Sequence, residues 1–145
     1  MKTKFNIKVF RKMPVFVLFM VMASCSDKSP IVKDLHISLG TLSTEDILLD
    51  YFTFSDSIRT KAIPTYNSLF QKIKDNISQG SFEVMKYKRA RKKWADVAQV
   101  NPSEDQSKLV VVKYANGEYL YVKCNGNKIE SMITVRKGDL ISGWL

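Results

Sequence analysis

The chain has 145 residues, with 23 lysine and arginine residues against 14 aspartate and glutamate residues, and a formal net charge of +9. Its single histidine and two cysteines exclude a histidine-based zinc site and a thiolate site built from Cys-x-x-Cys pairs. It contains neither Gly-x-Gly-x-x-Gly nor Gly-x-x-x-x-Gly-Lys-Ser/Thr, so these phosphate-binding loops are also excluded.

The first 24 residues have the pattern of a secretory signal. A basic head without acidic residues precedes Pro14 and an apolar run from Val15 to Ala23. The head contains Lys2, Lys4, Lys8, Arg11 and Lys12. The run from Met13 to Ala23 has 11 residues, whereas a membrane-spanning helix needs about 20. We therefore interpret residues 1–24 as a signal peptide and not as a transmembrane anchor.

A lipid-attachment motif follows the apolar run. The segment Met22-Ala23-Ser24-Cys25 resembles the lipobox of bacterial lipoproteins, with Met22 where the family usually has leucine. The resemblance implies cleavage before Cys25, acylation of this cysteine and a protein tethered to the membrane in the cell envelope. Ser26, by the same resemblance, favours the outer membrane of a Gram-negative bacterium. No cofactor is implied.

The signal segment carries much of the positive charge. Five of the 23 basic residues and none of the 14 acidic ones lie in residues 1–24, so 18 basic and 14 acidic residues remain and the net charge becomes +4. The remaining length suffices for one small domain. An exported lipoprotein rarely meets nucleic acid, so we do not expect a nucleic-acid partner.

Residues 25–42 are predicted to form a lipid-anchored tether, because Ser26 to Gly40 shows neither a helical nor a sustained strand period. The only histidine, His36, lies in this segment. A Ser-His-Asp or Cys-His site would need that histidine held by a rigid framework. The sequence therefore predicts a protein that is not an enzyme, with a single domain over residues 43–145.

Two helices are predicted at the start of this domain. Ser43 and Asp46 have the spacing of a capping box, which predicts a helix from Thr44 to about Phe52. Apolar residues at three- and four-residue steps, from Tyr66 to Ile77, predict a second helix that begins at Pro64 and ends at Gly80.

The pattern then changes to a period of two. Leu109 to Tyr114, Glu118 to Cys124 and Lys128 to Arg136 are predicted strands of an antiparallel meander, with Asn116-Gly117 in the first turn. Residues 82–100 could be two more strands or helical. Helices followed by a meander predict an α+β fold, with the two helices packed on the sheet, and the element order is that of cystatin-like or NTF2-like folds.

Cys124 is the second cysteine, and Cys25 would carry the lipid. Because Leu120, Val122 and Cys124 share one face at strand spacing, we expect Cys124 to be buried as a small apolar residue.

Six positive charges occur in the eight residues 86–93, followed by Trp94. They are Lys86, Lys88, Arg89, Arg91, Lys92 and Lys93. As a strand, this run would be cationic on both faces, which favours an edge strand or a protruding loop. It could bind anionic lipid, an acidic glycan or an acidic protein, or it could be a solvated edge that prevents aggregation.

Tyr119 and Tyr121 alternate with apolar residues, and Tyr114 lies near them across the turn. They could form an open aromatic face for a glycan or peptide, or pack beneath a neighbouring element.

The leading hypothesis is a non-enzymatic binding or interaction module. The alternatives are a small hydrolase or lipid-handling protein with a pocket between helices and sheet, and a subunit of an envelope assembly. Paired carboxylates for a hydrolase could come from Glu83, Asp96, Glu118, Glu130 and Asp139. We predict no metal site.

Overall fold

The computed structural model describes residues 29–145. The predicted signal peptide, the lipobox and Cys25 lie outside these residues. Four helices are present among the described residues: α1 Ser29–Ser38, α2 Thr44–Tyr51, α3 Asp56–Ser78 and α4 Tyr87–Lys93. The seven strands are β1 Phe82–Lys86, β2 Gln99–Val100, β3 Leu109–Tyr114, β4 Tyr119–Asn125, β5 Lys128–Ser131, β6 Thr134–Lys137 and β7 Leu140–Trp144.

The strands form two sheets. In the larger sheet the order is β1-β3-β4-β5, and all its pairs are antiparallel. In the smaller sheet the order is β2-β7-β6, with β2 parallel to β7 and β6 antiparallel to it. The α+β class is confirmed. The cystatin-like or NTF2-like assignment stays a prediction.

The larger sheet is buried on both faces. In β3, Val110 and Val112 belong to one apolar cluster, the helical core, together with buried residues of α1, α2 and α3. Leu109 and Val111 point to the opposite side, where they join α4 and β7 in a second core. This alternation is the normal consequence of the period of two in a strand. Helices α1–α3 and helix α4 therefore cover opposite faces of the sheet.

The prediction of a tether over this part of the chain is wrong, because residues 29–38 form helix α1. Val32, Leu35 and Leu39 follow one another at steps of three and four and are almost completely buried in the helical core. Lys33 and Asp34 lie between them and are exposed. Three buried apolar positions at this spacing are a weak sequence signal, and the sheet beneath them supplies the rest of the stabilisation.

The only histidine of the chain holds α1 against the sheet. His36 is 4% exposed, its Nδ1 lies 2.7 Å from the carbonyl oxygen of Val32, and its Nε2 lies 2.8 Å from Tyr114 Oη. Because a carbonyl only accepts, Nδ1 donates, and Nε2 then accepts from the tyrosine hydroxyl. The ring of Phe82 packs on the imidazole, with centroids 4.6 Å apart. His36 is thus a buried structural residue and not part of a tether.

Helix α2 confirms the prediction from the capping pattern. The side chain of Ser43 accepts a hydrogen bond from the backbone N–H of Asp46 at 3.2 Å and donates one to its carboxylate at 2.6 Å. The first turn also contains Glu45 and Asp46, which suit the positive end of the helix dipole.

Helix α3 is longer than predicted, because it begins at Asp56 and continues through Pro64. Pro64 and Thr60 are both exposed, so water can reach the Thr60 carbonyl that the missing proline N–H would have bonded. The predicted end is confirmed. Gly80 has a φ of 146°, and a Cβ on it would lie 2.9 Å from Cβ of Ala115, so a glycine is required.

The predicted meander is confirmed for β3, β4 and β5, but its third strand is shorter than predicted. Residues 134–137 form β6 in the smaller sheet and do not continue β5. Side-chain hydrogen bonds of Ser131 stabilise the turn away from β5. Its hydroxyl accepts a hydrogen bond from the N–H of Ile133 and donates one to the carbonyl of Leu145. Cys124 is 0% exposed and lies in the helical core with Leu120 and Val122, as predicted.

We predict that Leu35→Ala destabilises the protein by about 2–5 kcal/mol, the usual cost of truncating a buried leucine. Ile37 is the matched control, since it lies on the same helix and is 73% exposed, and Ile37→Ala should change stability by less than about 0.5 kcal/mol. Urea unfolding of the two purified variants measures the difference. Equal stabilities would contradict the docking of α1.

We also predict that stability decreases when the pH is lowered from 7.5 to 5.5. Burial lowers the pKa of His36, against a smaller opposing effect of the hydrogen bond with Val32. The unfolded chain, with a histidine pKa of about 6.5, then binds a proton more readily than the folded one, so stability is complete above this pH and is lost below it. The loss at pH 5.5 is at most about 1.4 kcal/mol.

Two measurements check this prediction on protein purified without a histidine tag. Thermal unfolding should show a lower Tm at pH 5.5, and the Tm of His36→Gln should depend less on pH. Since the chain has one histidine, a single imidazole NMR signal reports its titration directly. An imidazole pKa at or above the ordinary histidine value would show that the prediction is wrong.

Candidate anion-binding surface

The basic run of the sequence forms helix α4, so neither the edge strand nor the protruding loop considered for it is formed, and the helical alternative is the correct one. Tyr87 and Ala90, three residues apart, point inward and are buried in the second core. Trp94 ends the helix and is buried in the same core. A helix can bury one narrow side and keep its other positions in water, whereas a strand would distribute the charges over two faces.

The outer side of α4 carries five exposed cations, which we call the basic face. They are Lys88, Arg89, Arg91, Lys92 and Lys93. Lys86, also predicted for this site, is the last residue of β1 and is partly buried, so it lies beside the basic face and not on it.

Little of this charge is neutralised within the domain. Lys93 forms an ion pair with Glu83 at 2.7 Å, and its hydrogen bond lowers the pKa of that carboxyl. Among residues 29–145, no carboxylate lies within ion-pair distance of Lys88, Arg89 or Lys92. The basic face therefore keeps a large excess of positive charge in contact with water.

Arg91 lies where two grooves meet, and it donates a hydrogen bond to the carbonyl of Val97. One groove, of about 490 Å³, is bordered by Lys88 and Lys92. The other, of about 700 Å³, is bordered by Arg136 and Lys137 of the smaller sheet. Together the two grooves, which share Arg91 and Gln99, form what we call the basic trough.

Two tyrosine hydroxyls hold the loop beneath the trough. Tyr87 Oη donates to the carbonyl of Ala98 and accepts from the N–H of Val100, both at 3.1 Å. Tyr121 Oη accepts from the N–H of Ala98 at 2.7 Å. Burial raises the pKa of Tyr121, so its hydroxyl stays protonated at neutral pH. These contacts give the trough a rigid floor.

The predicted open aromatic face is not formed. Tyr119 and Tyr121 pack into the second core, whereas Tyr114 lies in the helical core on the other side of the sheet. Tyr119 instead contacts Trp94, with ring centroids 5.9 Å apart, and Lys113 Nζ lies 5.6 Å from the centroid of the Trp94 ring. Strand alternation places Tyr114 in a different core from Tyr119 and Tyr121, although all three also line a small groove beside α3.

A small groove lies beside α3, where β5 no longer covers β4. It has a volume of about 270 Å³, near the lower limit for small-molecule sites, and its walls include Leu69, Ile73, Leu120 and Met132. The same groove is also lined by Lys72, Asn76, Glu118 and Arg136, so a partly polar concavity does exist between α3 and the larger sheet, but it is small. Elsewhere the space between the helices and the larger sheet is filled by apolar side chains.

Three of the five candidate carboxylates form ion pairs with lysines, and the other two line one groove. Glu83 pairs with Lys93, Glu118 with Lys72, and Glu130 with Lys123. Asp96 and Asp139 border the basic trough. In the described part of the chain, no three histidine, cysteine or acidic side chains are grouped so that they could hold a metal ion. None of its helices is both long and apolar enough to span a membrane.

Comparisons with known proteins do not identify a family for this chain. No protein-family model matches the chain, and no curated protein or solved structure is significantly similar to it.

Proposed function

We propose that this protein is a lipid-anchored protein of the cell envelope that acts as a non-enzymatic binding module for anionic ligands. The observation that carries this proposal is the basic face, five exposed cations on one seven-residue helix with a single ion pair to a described carboxylate. Nearby cations repel one another, so a bound anion would relieve that repulsion as well as pair with the charges.

The ligand chemistry follows from the side chains. Arg89 and Arg91 present planar guanidinium groups, which bind phosphate, sulfate or carboxylate in bidentate fashion. Lys88, Lys92 and Lys93 add point charges around them. An anionic lipid headgroup, an acidic glycan and an acidic protein all carry such groups. Apart from the small groove beside α3, the interior between helices and sheet is filled, which supports a binding module more than a pocket-containing hydrolase or lipid-handling protein.

The envelope location rests on the resemblance of Met22-Ala23-Ser24-Cys25 to a lipobox. On this proposal Cys25 carries the acyl groups, and two or three acyl chains hold a protein almost permanently in a bilayer. Ser26 supports the outer membrane of a Gram-negative bacterium. An acidic protein at the basic face would instead make the chain a subunit of an envelope assembly.

We predict that the triple variant Lys88→Gln, Arg89→Gln and Lys92→Gln binds polyanions more weakly. Each basic residue near an anionic surface contributes about 1 kcal/mol, so losing three should raise the Kd for heparin about 100-fold at low salt. The matched control is Lys33→Gln, Lys61→Gln and Lys74→Gln, which removes the same charge from exposed positions of α1 and α3. Protein extracted in neutral detergent is applied to immobilised heparin and eluted with a salt gradient.

The control triple should elute close to wild type, and the basic-face triple much earlier. If both triples elute together, only net charge matters and the basic face is not a binding site. If wild type is not retained at low salt, the anion-binding proposal fails.

We predict that a clickable fatty acid labels the wild-type protein in vivo and that Cys25→Ala abolishes the label. Cys124→Ala is the control, since the second cysteine is buried and should not affect labelling. Label and protein are followed in separated envelope fractions. An unlabelled wild-type protein would contradict the lipid anchor, and the full charge of +9 would then have to be explained without a signal peptide.

A further inference from the structure

We infer that the basic trough faces away from the membrane that holds the lipid anchor, and that it binds an acidic polysaccharide from the aqueous side. This inference rests on the proposed function, because it takes Cys25 as the anchor point. It goes further by selecting one of the three ligand classes and by excluding the headgroups of the protein's own membrane.

The first step concerns the distance between the anchor and the folded domain. Helix α1 begins at Ser29 and is docked in the helical core through Val32 and Leu35. Only four peptide units separate Cys25 from Ser29, and they span at most about 14 Å when fully extended. The start of α1 must therefore lie close to the bilayer surface.

The second step concerns the position of the basic face. Helix α1 packs on one face of the larger sheet and α4 on the other. Adjacent layers of secondary structure are about 10 Å apart, so the axes of α1 and α4 lie about 20 Å apart, and the cations of α4 project further still. With the larger sheet parallel to the bilayer and α4 beneath it, Ser29 would be held higher above the bilayer than the connection to Cys25 can reach. Of the two orientations that place the sheet flat on the bilayer, only the one with α1 beneath it fits this connection.

The third step concerns the kind of polymer. Stable protein partners insert large apolar or aromatic anchors into an interface. The exposed large apolar side chains of the described residues lie outside the basic face: Ile37, Leu49, Ile58, Val135 and Leu145. Tyr87 and Trp94, the aromatic residues that border α4, are buried. The basic face therefore favours a polar polymer over a folded protein.

The trough matches a linear acidic polysaccharide in its arrangement of groups. Lys88 and Lys92 border one groove, Arg136 and Lys137 border the other, and Arg91 belongs to both. Asp96 and Asp139 also line the second groove, so the trough has five cations against two carboxylates and keeps an excess of positive charge. Between these cations, Gln99 lines both grooves and Gln106 lines the first. Amide side chains can exchange hydrogen bonds with sugar hydroxyls, while the cations pair with the carboxylates or other acidic groups of the chain.

The orientation is tested with lipidated full-length protein in phosphatidylcholine vesicles. Single cysteines are introduced as Ile37→Cys on α1 and Lys92→Cys on α4 and labelled with a fluorophore, because acylation would block Cys25 and Cys124 is buried. A nitroxide on the lipid headgroups quenches nearby fluorophores. We expect the Ile37→Cys label to lose most of its fluorescence and the Lys92→Cys label to keep it, also when phosphatidylglycerol is added to the bilayer.

Quenching of the Lys92→Cys label, with or without phosphatidylglycerol, would overturn the inferred orientation. The proposed function would survive this result if the detergent-extracted protein were still retained on heparin. Conversely, if the detergent-extracted protein were not retained on heparin, the proposed function would be refuted. The quenching pattern would then still test the orientation.

The ligand class is tested with the same neutral vesicles and two soluble polycarboxylates, alginate as the polysaccharide and polyglutamate as the polypeptide, at equal charge. We expect vesicles bearing wild-type protein to capture alginate more tightly than polyglutamate. The preference should be lost in the triple variant of Lys88, Arg89 and Lys92 and kept in the triple variant of Lys33, Lys61 and Lys74. Polyglutamate bound as tightly as alginate would overturn the polysaccharide assignment.

Discussion

The fold depends on two neighbouring strands, β3 and β4, that are apolar on both faces. Leu109 to Val112 are all buried, so neither side of these strands can be left in water. Helices α1–α3 cover one side, and α4 with the smaller sheet covers the other. After β5 the chain leaves the larger sheet and forms β6 of the smaller sheet. The second face of the larger sheet is apolar too, and the smaller sheet helps to shield it from water.

The position of the charge follows from this arrangement. Helix α4 covers its part of the second face with a narrow apolar side made of Tyr87 and Ala90, and Trp94 completes the contact. The other positions of α4 face water, so cationic side chains there do not disturb the packing of the second core. Buried tyrosine hydroxyls of Tyr87 and Tyr121 fix the adjoining loop, so the grooves beside the helix have a rigid boundary.

On the opposite side of the sheet, α1 is fixed by the only histidine of the chain. The hydrogen bond between His36 and Tyr114, together with the contact between His36 and Phe82, joins α1 to β3 and β1. A buried imidazole needs such partners, since an unpaired polar group in the core is costly. Because α1 is docked, the folded domain begins four residues after the proposed lipidation site. If Cys25 is lipidated as proposed, the domain has a near side and a far side with respect to the bilayer.

The sequence by itself determined the features that depend on local chemistry. The cap at Ser43, the glycine at position 80, the hairpin at Asn116-Gly117 and the burial of Cys124 all follow from spacing and residue type. Tertiary structure decided the rest. The weak pattern of α1 becomes a helix only against the sheet, and the basic run is a helix because the second core accepts Tyr87 and Ala90. Strand alternation places Tyr114 in a different core from Tyr119 and Tyr121. These features are stabilised by contacts between segments that are distant in the sequence, so a short stretch of sequence cannot predict them.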